Sequence, residues 1–380
     1  MVTPPAPARV LVIGTGLIGT SVALALRERG TDVWLSDLDA DAARLAAGLG
    51  AGTMVPDLGD AKGIADIAVL AMPPEEVAAM LGLAQDFGVA RWYTDVASVK
   101  SLPVSQARSL GCDLESFVPG HPLAGRERHG PGAARADLFL GRTWALCPLP
   151  ETSPEAVRAA ADLAAACGAD VVRTDAATHD QWVALVSHAP HLVAAAMAAR
   201  LAPASVSDSA LRLAGQGLRD TTRIAAGDPA LWTQILSANA LPVAEVIAAV
   251  AEDLTAAARS LTEAPGAAHA LYASPAGVDI SDISGYVDVL ERGRAGVARI
   301  PGKRGGEARA FAVVQVVISD TPGELARLFS VAGEAGVNVE DVRIEHSPGH
   351  PTGVIEISVR PDQAATLLAA VTAGGWSARG

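Results

Sequence analysis

Lysine is nearly absent from this chain of 380 residues, standing only at Lys62, Lys100 and Lys303. Chemistry that needs a lysine must therefore use one of those three. Cysteine is as scarce, and Cys112, Cys147 and Cys167 fit neither a disulfide framework nor a zinc knuckle. The opening stretch Met1–Ala8 has no apolar signal core, and no run reads as long enough for a membrane span. Basic residues are outnumbered 29 to 42, giving a net charge of −13, which argues against nucleic-acid and anionic-membrane partners. A soluble, cytoplasmic protein is expected. What is abundant is apolar: half the residues are hydrophobic, which excludes a disordered chain. The length exceeds one ordinary core and implies two or three domains.

Short apolar runs alternate with helical stretches over residues 1–174. Val10–Ile13, Val33–Ser36, Ala65–Ala71 and Arg91–Val96 read as strands, and Leu17–Arg29 as a helix. Ser153 caps a further helix with Pro154 at its first position, Gly168 closes it, and Val171–Val172 follows as a strand. Such alternation predicts a parallel sheet with crossover helices, an α/β Rossmann-type domain. Residues 175–290 are alanine-rich with helical periodicity, which predicts an all-α domain. Residues 291–310, rich in arginine and glycine, read as a linker. Residues 311–380 then read as a small α+β unit of βαββαβ order, with Thr321 to Glu324 as a capping box.

Gly14-Thr15-Gly16-Leu17-Ile18-Gly19 follows a strand and opens a helix. Gly14 permits the tight turn, Gly16 lets a pyrophosphate approach the backbone, and Gly19 lets the helix pack on the sheet. Asp37 ends the next strand, where a ribose-binding carboxylate belongs, and its charge selects NAD over a 2′-phosphate. Ala71 and Pro73 on the turn after the third strand, and Asp95 at the end of the fourth, complete the candidate NAD site with Leu17 and Ile18.

His121, between Gly120 and Pro122, sits on a loop at the carboxyl edge of this sheet. A histidine there can take a proton from a hydroxyl while hydride leaves the same carbon. Ser98, on the neighbouring edge, can orient both groups. His179, His188 and His191 cluster in the next domain. On one straight helix they cannot all face one ion, so substrate hydrogen bonding is the reading and no metal is expected. Arg219 and Arg223 give that domain two guanidinium groups, suited to an anionic substrate.

These motifs, in this order, resemble the prephenate/arogenate dehydrogenase family of tyrosine biosynthesis over about residues 9–290. Residues 311–380 resemble an ACT domain. The resemblance implies oxidative decarboxylation of prephenate to 4-hydroxyphenylpyruvate with hydride transfer to NAD. Arogenate and 4-amino-4-deoxyprephenate are the alternative substrates, and a non-catalytic NAD- or amino-acid-sensing regulator is a remote one. It makes His121 the base and Ser98 its hydrogen-bonding partner. Arg223 becomes the carboxylate clamp, with His179, His188, His191, Asp220 and Trp232 around the substrate. Arg126 departs from the family pattern and is a further candidate carboxylate contact. A homodimer through the helical domain and an aromatic amino-acid effector at the C-terminal unit are implied as well. A β-hydroxyacid dehydrogenase, which shares the two-domain plan, would need a lysine in the helical domain, and residues 176–290 have none.

Overall fold

The structure, a computed structural model, describes residues 6–55, 57–124, 129–203, 205–263, 284–300, 311–346 and 352–380. It divides into two compact units, residues 1–252 and 253–380.

The first unit is built on a six-stranded parallel sheet: β1 (Arg9–Ile13), β2 (Asp32–Ser36), β3 (Thr53–Met54), β4 (Ala65–Leu70), β5 (Ala90–Asp95) and β6 (Phe117–Val118), in the order 3-2-1-4-5-6. Its central strands are apolar throughout because helices cover both faces. Val10, Val12, Ile67 and Val69 pack on one side, while Leu11, Ala68 and Leu70 pack on the other. The helices are α1 (Leu17–Arg27), α2 (Ala40–Gly48), α3 (Pro74–Phe87), α4 (Ser101–Ser109) and α5 (Pro154–Ala166). Ser153 caps α5 by accepting the Ala156 N–H at 3.1 Å. A second sheet follows, with β7 (Gly120–Pro122) antiparallel to β8 (Thr143–Leu146) and β8 parallel to β9 (Asp170–Arg173). His121 therefore stands on a strand paired with Ala145, not on the loop expected for it.

The helical part comprises α6 (Ala176–Val183), a π-turn (Ala184–His188), α7 (Ala189–Ala198), α8 (Asp208–Leu211), α9 (Gln216–Thr222), α10 (Pro229–Ala238) and α11 (Ala240–Glu263). The run Ala176–Leu201 is long and apolar enough to cross a membrane, contrary to the expectation that no run is. Its buried positions include His179, Asp180, His188 and His191, all engaged within the unit. The π-turn explains the convergence. Its extra residue rotates the following helix by about one residue's angle, ~100°, so histidines on opposite faces of a straight helix turn inward together.

In the second unit α12 (Ser284–Ala298) occupies the start of the stretch read as a linker, while 301–310 lies outside the described residues. The C-terminal segment runs β10 (Ala312–Ser319), α13 (Glu324–Glu334), β11 (Val339–His346), β12 (Thr352–Val359), α14 (Ala364–Ala373) and β13 (Ser377–Arg379). Its antiparallel sheet, ordered 11-12-10-13, buries Val314, Val316, Ile355 and Ile357 beneath Leu328 and Leu367. The capping box does not form. Gly323, with φ +91°, is the cap residue, and Glu324 instead binds Arg327 and the Trp376 indole at 2.7 and 2.8 Å.

Candidate active site

At the β1–α1 turn Gly14 has φ +100°, and a Cβ there would stand 2.1 Å from the Ala71 carbonyl oxygen. A Cβ on Gly19 would stand 1.9 Å from the Gly14 oxygen, so both glycines are required sterically. A Cβ on Gly16 would meet nothing within 4 Å, which leaves open space over the first N–H groups of α1 at Leu17 and Ile18. Asp37 accepts the Thr15 hydroxyl at 2.8 Å and the Asp39 N–H at 2.9 Å, which fixes its carboxylate at the tip of β2. Oδ2 accepts the Thr15 N–H as well as its hydroxyl, whereas Oδ1 keeps a second lone pair for a ribose hydroxyl. A cavity of about 570 Å³ opens beside it, lined by Gly14, Asp37, Ala71, Pro73, Met80 and Phe87. These residues fit the adenosine half of a dinucleotide. Arg44 pairs with Asp41 at 2.5 Å. Changing Asp37 to serine is expected to raise the NADP/NAD preference about tenfold or more, by relieving at least ~1.4 kcal/mol of repulsion with a 2′-phosphate. Steady-state kinetics with both cofactors measures this, and an unchanged ratio would place the ribose contact elsewhere.

Asp95, expected to line the cofactor, does something else. It is fully buried, accepts the Gly120 and Ala97 N–H groups at 2.8 and 3.3 Å, and pairs with the Lys100 ammonium. Lys100, also fully buried, reaches the Gly120 carbonyl at 2.5 Å. The pair therefore ties the end of β5 to the start of β7, the strand that carries His121.

His121 is half-buried, with its Nδ1 3.0 Å from His179 Nε2. Ser98, half-buried in the bend after β5, makes no hydrogen bond to His121. His179 Nδ1 in turn lies 2.8 Å from Asp180 Oδ1. His179, expected to contact the substrate, is buried between His121 and Asp180. Burial, reinforced by His179, Lys100 and His188, holds the His121 imidazole well below its usual value. It is therefore neutral, with proton-accepting capacity, throughout the neutral range. Burial pushes the Asp180 carboxyl up, but hydrogen bonds from His179, Ser101 and Lys100 outweigh this and leave it lowered, hence ionised.

His188 is lowered to about 4, first by burial, despite the attraction of Asp180. Its Nδ1 receives the Asn239 amide at 3.1 Å, and Asn239 also donates to the Asp180 backbone carbonyl at 2.8 Å. The neutral ring therefore carries its proton on Nε2. His191 stacks on Trp232, ring centroids 3.5 Å apart, and His188 meets the same indole edge-on at 6.2 Å. Gly227 permits the stack, since a Cβ there would stand 2.6 Å from the Trp232 Nε1.

Arg223 and Asp220, two other expected residues, are exposed. Arg223 opens an exposed 3₁₀ turn (Arg223–Ala226) after α9 ends at Thr222, so Arg219 and Arg223 do not share one regular helix. Asp220 is exposed and accepts from Gln216 at 2.8 Å. Arg126 lies outside the described residues. Asn239 was not foreseen. Asparagine occurs only at Asn239 and Asn338, and one lone asparagine in an alanine-rich helical stretch was the available signal. Among the described residues no group of three or more His, Cys, Asp or Glu could hold a metal ion.

A dinucleotide cradle on the parallel sheet, and a neutral histidine on the strand tied to the end of β5, suit removal of a hydroxyl proton coupled to hydride transfer. Residues 22–173 match the family described as "Prephenate dehydrogenase, nucleotide-binding domain", and residues 175–268 match "Prephenate dehydrogenase, dimerization domain". The chain belongs to the prephenate dehydrogenase family. It is an NAD-dependent oxidoreductase. It is 40% identical over 370 residues to "Probable prephenate dehydrogenase NovF" of Streptomyces niveus, covering 97% of this chain and 98% of that one. It is 26% identical to a prephenate dehydrogenase of Bacillus subtilis, covering 93% and 92% of the two chains. Its fold matches the Synechocystis arogenate dehydrogenase structure with TM-score 0.60 at 25% identity, over 76% of this chain and 99% of that one. An Aquifex aeolicus prephenate dehydrogenase structure, in complex with hydroxyphenyl propionate and NAD+, matches with TM-score 0.64 at 24% identity, over 76% and 98%.

Proposed function

We propose that this enzyme oxidises and decarboxylates prephenate to 4-hydroxyphenylpyruvate. The observation that carries the reading is a histidine, His121, held neutral on β7, the strand that Asp95 and Lys100 tie to the end of β5 in the sheet that bears the dinucleotide cradle. NAD held by the Gly14–Gly19 turn and Asp37 would supply the acceptor for the hydride on the ring carbon that bears the hydroxyl. His121 takes the hydroxyl proton as that hydride leaves. The C–C bond to the ring carboxylate then breaks, its electron pair aromatises the ring, and CO₂ departs. The proton returns to the phenolate oxygen, so none is released overall. Ser98, half-buried in the bend after β5, is the proposed second partner of the hydroxyl. His188, fixed by Asn239, offers an N–H donor, and His191 with Trp232 provides a flat apolar wall. Equal amounts of NADH, CO₂ and 4-hydroxyphenylpyruvate formed from prephenate would support this; NADH without CO₂ would contradict it.

Arogenate is the second reading, favoured by the likeness to the Synechocystis arogenate dehydrogenase. Arg223 is the proposed carboxylate clamp. Arg223→Ala should raise KM about 10- to 150-fold, the loss of a charged hydrogen bond worth roughly 1.5–3 kcal/mol. An unchanged KM would move the clamp to Arg219 or Arg126.

A homodimer through the helical domain fits the match to a dimerization domain and the exposed apolar face formed by Trp182, Leu185, Val186 and Met197. For residues 311–380 we propose an ACT-like regulatory role with an aromatic amino acid as effector. The βαββαβ order supports it. An enzyme truncated after Arg309 should stay active and lose most inhibition by tyrosine; unchanged inhibition would place the effector in the catalytic cleft.

A further inference from the structure

We propose that Asp180 and His179 form a proton relay behind His121, fixing its tautomer and sharing its charge when it takes a proton. The proposal rests on the reading of His121 as the base and deepens it. Asp180 is 2% exposed, and both its oxygens are engaged: Oδ1 accepts the Lys100 N–H and Oδ2 the Ser101 N–H, each at 2.8 Å. A carboxylate held this way has only acceptors to offer, so His179 Nδ1, 2.8 Å from Oδ1, must donate. The tautomer of His179 with its proton on Nδ1 has its lone pair on Nε2, 3.0 Å from His121 Nδ1, and against that lone pair His121 donates from Nδ1. The remaining lone pair of His121 is on Nε2, the ring nitrogen directed away from the relay. The opposite tautomer of His121 would set two lone pairs against each other.

The step balances without a co-reactant. The substrate O–H bond breaks and a bond from hydrogen to His121 Nε2 forms. The Nδ1–H proton of His121 shifts toward His179 Nε2, while the His179 Nδ1–H proton is held by Asp180. One positive charge is thereby spread over two rings and faced by one buried carboxylate. In the serine hydrolase triad a buried carboxylate likewise holds the base histidine's tautomer and stabilises its charge, without a second ring to share the proton. The groups around His121 are Lys100 and Asp95 from the β5–α4 connection, and His179, Asp180 and His188 from α6 and the π-turn. The bland alternative is that Asp180 serves only α4, whose cap residue Lys100 provides no side-chain cap.

The test uses the full-length enzyme with NAD and prephenate. Asp180→Asn should lower kcat by about 10²- to 10⁴-fold with KM changed less than about threefold, and should move the acid limb of the kcat profile to lower pH. His179→Gln, whose amide oxygen can accept from His121 but cannot take its proton, should lose less, and the double variant should be no worse than Asp180→Asn alone. A kcat within about threefold of wild type, or lost thermal stability with an unmoved acid limb, would overturn the relay. Nitrogen-15 NMR of the histidine-labelled wild type decides the matter even where a variant misfolds. The expected spectrum has His121 protonated on Nδ1 and bare on Nε2, and the reverse overturns the proposal. Failure of the wild type to oxidise any candidate substrate would instead sink the reading of function, and the NMR result would still decide the relay.

Discussion

Replacing His121 with asparagine is expected to abolish turnover while leaving NAD and substrate binding almost intact. A positioned base contributes about 10²- to 10⁴-fold to rate, and asparagine cannot accept the hydroxyl proton. It can still donate toward His179, so the ring's place in the fold is largely kept. The effect should therefore fall on kcat rather than KM, because the base acts as the proton moves. The wild-type pH profile sharpens the point. His121 lies well below the usual imidazole value, so the folded enzyme keeps its base form below pH 6.5 and loses activity only as pH falls through that lowered value. An asparagine variant with most of its kcat, or a wild-type acid limb above the ordinary imidazole range, would remove His121 from this role.

The second large effect is structural. Lys100→Met would leave Asp95 buried and unpaired, and breaking a buried pair this way costs about 3–5 kcal/mol. A stretch of this size should lose roughly 6–20 °C in thermal stability, since 1 kcal/mol shifts Tm by about 2–4 °C. Both groups have no exposed surface, so water cannot replace the lost partner. The loss should also reach catalysis, because Lys100 holds the Gly120 carbonyl next to His121. Calorimetry of the variant measures the shift, and a change under about 2 °C would show that the pair contributes little.

The central strands were legible because each is a continuous apolar run between glycine or polar breaks, and Gly14 to Gly19 with Asp37 placed the cradle in register. The small C-terminal unit was legible for the same reason: β12 alternates buried and partly exposed residues along its length. What failed was anything decided by side-chain contacts across the fold. Three-residue β7 has too little sequence to show its pairing with β8. The π-turn has no period of its own, so helical spacing set His179 and His188 on opposite faces when both are buried. Asp95 and Asp180 look like ordinary strand-end and helix carboxylates until Lys100 closes over one and His179 over the other. The rarity of lysine pointed to Lys100, but its role is to hold a strand and not to touch a ligand. Ser98 was matched to His121 by proximity along the sheet edge, while the ring nitrogen went to His179.

NADH formation by the full-length enzyme with NAD, measured side by side on prephenate, arogenate and 4-amino-4-deoxyprephenate, tests the central claim most directly. The expected result is turnover of prephenate with kcat/KM well above that of the other two. Turnover of arogenate alone, of the 4-amino compound alone, or of none of the three would contradict it.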